Sequence, residues 1–360
     1  MRILTIIGNR PQFVKAAAVS GPLRAGHEEV LVHTGQHHDD ELSSVFVREL
    51  GVPTPDRELG IAGGSNTSQT SRMMDALEPV IEEVAADLAL VYGDTNSTLA
   101  GALAAARRDL PVAHVEAGMR SFDRSMPEEI NRVLTDHLSE LLLCPSQTAV
   151  DNLDRERARG RVELVGDVMV DVARLFAPRA RERLDVLEAH HVAPGEYALA
   201  TAHRAGTVDD PERLRRLVAL LEGLPVPVVL PLHPRTRARL EAAGLLARVM
   251  HDGSNVRVVP PLGYLEFTAL LLHARAVLTD SGGVQKEAYL AEVPCVTLRD
   301  TTEWVETVDT GWNVLAGLDA DAARAALERS PPDAHPALYG DGHAAEHVAK
   351  AVTGLTLPAS

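Results

Sequence analysis

Cysteine, lysine and tryptophan are scarce in this chain of 360 residues, and each scarcity narrows the reading. The two cysteines, Cys144 and Cys295, lie in apolar, strand-like runs and read as buried thiols of a reducing compartment, not as a disulfide. No apolar run reaches the length of a membrane span. Residues 1–8 read as a first strand, without the long apolar core and small-residue cleavage site of a signal peptide, so the expected location is the cytoplasm. Positive charge is also short: 35 Lys and Arg face 51 Asp and Glu, a net charge of −16. That field repels nucleic acid and anionic membranes, so neither is expected as a partner, and an anionic ligand must meet local cations. Only three lysines occur, Lys15, Lys286 and Lys350, and the first two fall inside motif segments.

The chain is rich in short Val, Ile and Leu runs that alternate with longer helical patterns. Strands are predicted at 2–8, 29–34, 88–92, 111–116, 141–144 and 162–165. Helices are predicted at 12–25, 40–50, 69–86, 97–108, 128–138 and 146–156. A charged helical stretch at 167–195 reads as a linker. Strands then follow at 197–201, 226–230, 256–259, 276–279, 295–298 and 312–315, with helices at 211–221, 264–274, 283–291, 320–328 and about 343–352. Strands this apolar, separated by helices, predict parallel sheets covered on both faces. The expected class is therefore α/β, with two Rossmann-like domains whose parallel sheets face an interdomain cleft. The domains are placed at 1–170 and 171–345, with a C-terminal helix and tail at 346–360 packing back on the first. In such sheets ligands bind at the carboxyl ends of strands, where nearly every motif falls.

The most informative motif is Asp280-Ser281-Gly282-Gly283, between an apolar strand and an amphipathic helix. It aims free backbone N–H groups and a positive helix end at one spot, which suits a phosphate or diphosphate. Gly8-Asn9-Arg10-Pro11-Gln12 is not the dinucleotide fingerprint. It is a tight strand–helix turn or, in addition, an anion site using Arg10 and Lys15. His37-His38 lacks the spacing of a metal site, and Asp39 or Asp40 is read as a helix cap. Asp94, in Gly93-Asp94-Thr95-Asn96-Ser97-Thr98, is either an N-cap or a cleft carboxylate. Glu116 ends the next strand, where a carboxylate seldom lies without a use. Glu128 opens a helix and stands four residues before Arg132, placing acid beside cation. His203, in Thr201-Ala202-His203-Arg204, suits a phosphate leaving group at neutral pH. Arg235 and Arg237 add charge after the next strand, Glu287 suits ribose hydroxyls, and Trp304 is either a packed aromatic or a site residue.

Taken in order, GNRPQFVKAA, TGQHHD, YGDTNSTLAGALAA, HVEAGMRS, MPEEINR, TAHR, PLHPRTR, LTDSGGVQKEA and RDTTEWVE resemble the non-hydrolysing UDP-N-acetylglucosamine 2-epimerases, from residue 1 to about 317. The resemblance implies the glycosyltransferase B architecture, a homodimer, a UDP-sugar as ligand, and neither metal nor nicotinamide cofactor. It implies that Asp94, Glu116 and Glu128 are acid–base groups, and that Arg10, Lys15, Arg132 and His203 face the substrate and its diphosphate. Ser281, Gly282 and Gly283 would bind phosphate and Glu287 the ribose. The implied reaction converts UDP-GlcNAc to UDP-ManNAc through anti elimination of UDP, a 2-acetamidoglucal, and re-addition.

Three motifs, YGDTNST, HPRTR and TEWVE, look most like the branch acting on UDP-2,3-diacetamido-2,3-dideoxy-glucuronic acid; Arg235 or Arg237 either pairs with that sugar's carboxylate or is a surface cation on an acidic protein. Simple UDP-N-acetylglucosamine is nevertheless the first expectation, because it is the commoner substrate of the family. The chain also departs from the family. Gly206 and Thr207 stand near a usual Glu-Asn, and Gly63-Gly64-Ser65-Asn66 replaces an Arg-Gln pair of members activated by a second UDP-sugar, so weak or absent activation is expected. A glycosyltransferase of the same architecture, a hydrolysing epimerase and a non-catalytic UDP-sugar sensor are the competing readings.

Overall fold

The computed structural model describes residues 1–36, 51–251 and 253–356. The predicted helix at 40–50 and the His37-His38-Asp39-Asp40 loop lie outside the described residues. The described chain divides into two compact units. Unit 1 falls within Met1–Leu175 and Ala337–Ser360, and unit 2 is Phe176–Pro336.

Unit 1 holds strands β1 (Arg2–Ile7), β2 (Glu28–His33), β3 (Arg57–Glu58), β4 (Leu88–Tyr92), β5 (Val112–Val115), β6 (Leu141–Cys144) and β7 (Arg161–Leu164). They form one parallel sheet in the order β3-β2-β1-β4-β5-β6-β7. Leu4, Ile6, Ala89, Val91 and Val112 pack into a core with Met73, Leu77 and Ile81 of the helix Asn66–Val84 and with the Ala-rich helix Asn96–Ala106. The sheet order reverses between β1 and β4, and in open α/β sheets such a switch point is where ligands bind, at the carboxyl ends of the strands.

Unit 2 repeats the plan. Its strands are β8 (Ala198–Thr201), β9 (Val228–Pro231), β10 (Val256–Val259), β11 (Ala276–Thr279), β12 (Cys295–Thr297) and β13 (Asn313–Leu315), parallel in the order β10-β9-β8-β11-β12-β13. Its reversal lies between β8 and β11. Its core joins Ala198, Leu230 and Leu278 to Leu214, Leu217 and Leu221 of the helix Pro211–Glu222.

The stretch read as a linker is two helices, Val168–Arg181 and Leu184–Ala189. The last helix, Ala344–Thr353, lies against the helix Arg10–Arg24. The Asp171 carboxylate caps it by accepting from the N–H groups of Ala344 and Ala345 at 3.1 and 2.9 Å. Both cysteines are free and buried. Burial pushes the Cys295 thiol up to about 12 and raises that of Cys144 as well. Among the described residues no helix is long and apolar enough to cross a membrane.

Candidate active site

In unit 1 the motif loops converge on the β1/β4 reversal. Gln12, buried in the first turn of its helix, joins two of them. Its side-chain oxygen accepts from Gly8 N at 2.7 Å, and its amide donates to Tyr92 O at 2.7 Å and to the hydroxyls of Thr95 and Thr98 at 3.0 and 2.9 Å. One helical turn on, Lys15 lies on the same face, buried, with its ammonium on Glu116 Oε2. Glu116 directly follows β5 with a φ of +73°, in the left-handed region that side-chain-bearing residues avoid. A Cβ at Gly93 would sit 3.2 Å from Glu116 Oε2 and 3.4 Å from Lys15 Nζ, so this pair faces the turn that carries Asp94.

Asp94 is not the helix cap. Thr95 takes that role for the helix Asn96–Ala106, in a capping box with Thr98. The Asp94 carboxylate instead accepts from Arg132 Nη2 at 2.6 Å, while Asn131 Nδ2 donates to Asp94 O at 2.9 Å. The expected pairing of Glu128 with Arg132 does not form. Arg132 Nη1 donates to Glu129 Oε2 at 2.9 Å, because Glu129 is the acid turned inward from this helix, Pro127–Leu138. Glu129 also accepts from the N–H groups of Ser121 and Phe122 and from the Ser121 hydroxyl, at 2.9, 3.0 and 2.9 Å. Burial alone would raise its carboxyl; the Ser121 bonds and the Arg132 guanidinium outweigh this and hold it below the usual carboxylate range. Glu128 is half-buried at the helix start, and Arg10 is half-buried in the first turn of its own helix.

In unit 2 the β8/β11 reversal brings His203 and the Ser281-Gly282-Gly283 turn to the ends of neighbouring strands. Asp280, fully buried, joins them. Its carboxylate accepts from His203 N at 3.0 Å and Arg204 N at 2.9 Å, and lies 3.8 Å from His203 Nδ1. The half-buried His203 ring stacks on His233 at 5.1 Å. Ser281 precedes the helix Gly282–Leu290 and makes no side-chain cap bond. A Cβ on Gly282 would collide with Glu303 Oε1, whereas one on exposed Gly283 would find Ser281 Oγ first, at 3.9 Å. Glu287 is half-buried on the same helix. Trp304 is buried, with the buried Lys286 ammonium 4.3 Å above its ring in a cation–π contact.

Arg235 is engaged by Asp209, which also takes Arg239 Nε at 3.0 Å, and Arg237 stands 4.0 Å from Glu241. Among the described residues no group of three or more His, Cys, Asp or Glu is placed to hold a metal ion. Sequence reasoning passed over Glu129, His114 and Asp136, and took Asp280 only as part of its motif, without a role of its own. Asp280 had a signal, since it sits beside Ser281 at a strand end.

A model of the UDP-N-acetylglucosamine 2-epimerase family matches residues 23–353. The chain belongs to that family. It is 47% identical to the UDP-2,3-diacetamido-2,3-dideoxy-D-glucuronate 2-epimerase of Pseudomonas aeruginosa, across 99% of this chain and 100% of the relative. It is 37% identical to the UDP-N-acetylglucosamine 2-epimerase of Methanocaldococcus jannaschii, across 98% and 99%. The crystal structure of that enzyme in complex with UDP-GlcNAc and UDP superposes with a TM-score of 0.92 over 98% of this chain and 99% of that one. The Neisseria meningitidis epimerase bound to UDP-GlcNAc, 28% identical, gives 0.88 over 98% and 100%. The two-sheet α/β plan is therefore the glycosyltransferase B architecture of these epimerases, and the chain is an enzyme of the UDP-sugar 2-epimerase family.

Proposed function

We propose that this epimerase inverts C2 of a UDP-2-acetamido sugar by anti elimination and re-addition of UDP. The observation that carries the reading is the pairing of two strand-end carboxylates with two buried cations, Glu116 with Lys15 and Asp94 with Arg132. The hydrogen on C2 is not next to a carbonyl, so a carboxylate removes it only once the anomeric C–O bond is breaking. UDP then leaves with the bonding pair, the C2 proton passes to a carboxylate, and a 2-acetamidoglucal remains. Re-addition of UDP at C1 with protonation of C2 from the opposite face gives the epimer. The sequence is redox-neutral and draws on no cofactor.

Proton traffic on two faces calls for more than one acid–base group, which is the role assigned to Asp94, Glu116 and Glu128. Arg10, Lys15 and Arg132 are assigned to the anionic substrate. The Ser281-Gly282-Gly283 turn and His203 are assigned to the diphosphate and Glu287 to the ribose, where fixed donors stabilise the departing charge. A homodimer, in the cytoplasm, goes with this reading.

Among substrates, UDP-2,3-diacetamido-2,3-dideoxy-D-glucuronate now takes first place. Identity to the relative named for it is 47% over the full length, against 37% to the M. jannaschii enzyme. Conversion of UDP-GlcNAc to UDP-ManNAc is the second reading, supported by the family model. With Asp209 already on Arg235, that arginine is not assigned to the sugar carboxylate.

Proton NMR of the enzyme with each UDP-sugar in heavy water tests the proposal. The expected result is accumulation of the second epimer with deuterium at C2 of both, without any acceptor. Interconversion that carries no solvent isotope sinks the elimination mechanism. Absence of C2 exchange and turnover only with an acceptor would make the protein a transferase.

A further inference from the structure

Resting on that reading, we infer that His114 is a positioning residue that, through both ring nitrogens, fixes the β4 turn carrying Asp94 against the helix carrying Glu128 and Arg132. His114 lies in β5, fully buried, two residues before Glu116. Its Nε2 is 2.7 Å from Gly93 O, and a carbonyl only accepts, so Nε2 carries a proton. Its Nδ1 is 2.7 Å from Asp136 Oδ1. The other oxygen of Asp136 accepts from Gly118 N at 3.1 Å and Arg120 Nη1 at 2.7 Å, donors that fit an ionised carboxylate.

Arg120 also holds Glu156 through two bonds, at 2.8 and 2.7 Å, and so ties this cluster to the helix Gln147–Glu156.

The connections form a ring that explains why this group acts on the site. Gly93 is bonded along the chain to Asp94, and Asp94 is held by Arg132. Arg132 lies one helical turn before Asp136, which is held by His114, which returns to Gly93. Breaking the Gly93 bond removes the link from β5 to the Asp94 turn, while Arg132 and Asn131 still hold Asp94 from the other side.

The two amide substitutions separate the bonds. The nitrogen of asparagine falls near Nδ1 and that of glutamine near Nε2. His114→Asn keeps the bond to Asp136 and drops the one to Gly93 O; His114→Gln does the reverse. A displacement of the reacting groups by about 1 Å costs on the order of 100-fold, so His114→Asn is expected to lower kcat by about 10- to 100-fold with KM unchanged. His114→Gln is expected to recover most of that loss at a matched Tm.

Equal losses in the two variants, a change in KM alone, or losses that track the unfolded fraction would overturn the inference. Where neither variant folds, the ring ¹⁵N spectrum of the wild type decides: a proton on Nε2 of His114 supports it, and an unprotonated Nε2 overturns it. The wild-type C2 exchange experiment reports separately on the epimerase reading, and its failure leaves the His114 spectrum readable.

Discussion

Glu116 combines a proposed chemical role with a costly backbone, and the two separate by substitution. At φ +73° it occupies the left-handed region. A residue with a side chain there costs about 1–2 kcal/mol. Glu116→Ala and Glu116→Gly delete the same carboxylate and leave Lys15, buried at 7% exposure, without it. The cost of the stranded ammonium is common to both and cancels in the comparison. What differs is the backbone: glycine relieves the left-handed penalty but gives back about 0.5–1 kcal/mol of unfolded-chain entropy. The net expectation is that Glu116→Gly is more stable than Glu116→Ala by about 0.5–1 kcal/mol. In a unit of about 200 residues that is about 1–4 °C in Tm. Both variants should lose about 100- to 10,000-fold in kcat, the usual contribution of one acid–base group. Thermal unfolding and the heavy-water turnover assay read the two effects independently. An alanine variant as stable as the glycine variant refutes the strain argument, and near-wild-type C2 exchange in either refutes the assigned role.

The neighbouring glycines of unit 2 should behave unlike each other. Gly282→Ala forces a methyl into Glu303 and to 3.2 Å from Trp304 Nε1. It should lose about 1–3 kcal/mol of stability by overpacking. Gly283→Ala, facing open space, should keep its Tm while weakening UDP binding by calorimetry; similar Tm values for the two would contradict this. Acid sensitivity should also be specific. The Glu129 carboxyl is held below its unfolded value, so its stabilisation is complete above that value, about 4.3, and is lost as pH falls through the lower folded value. Glu129→Gln should therefore show a shallower fall in Tm below about pH 4 than wild type, and an unchanged acid slope counts against the assignment.

The strands were legible because parallel strands buried on both faces have to be apolar almost throughout, and only their ends shifted by a residue or two. β3 escaped because Arg57 and Glu58 are both exposed and charged, pairing only through the backbone. The helix Pro234–Ala242 escaped because its sequence buries only Thr236 and Leu240, too few to set a period.

The site loops were legible as motifs, whereas their pairings were not. Thr95 displaced Asp94 from the cap, and Glu129 displaced Glu128 from Arg132, since neighbouring residues of the same type differ only in where the third dimension points them. One signal was nevertheless present. The helix Pro127–Leu138 turns Glu129, Asn131, Arg132, Thr135 and Asp136 inward, while Ile130 and Leu134 face outward at 47% and 44% exposure. Burying charge costs several kcal/mol per ion unless it is paired, roughly the reverse of what a stabilising helix does. Here the inward charges are paired: Asp136 with His114 and Arg120, Glu129 with Arg132, and Arg132 with Asp94 as well. A helix inverted in this way gains little from hydrophobic burial and is explained by what it holds in place. Its apolar spacing, read against the polar residues the sheet end must receive, is the feature that points from sequence to site.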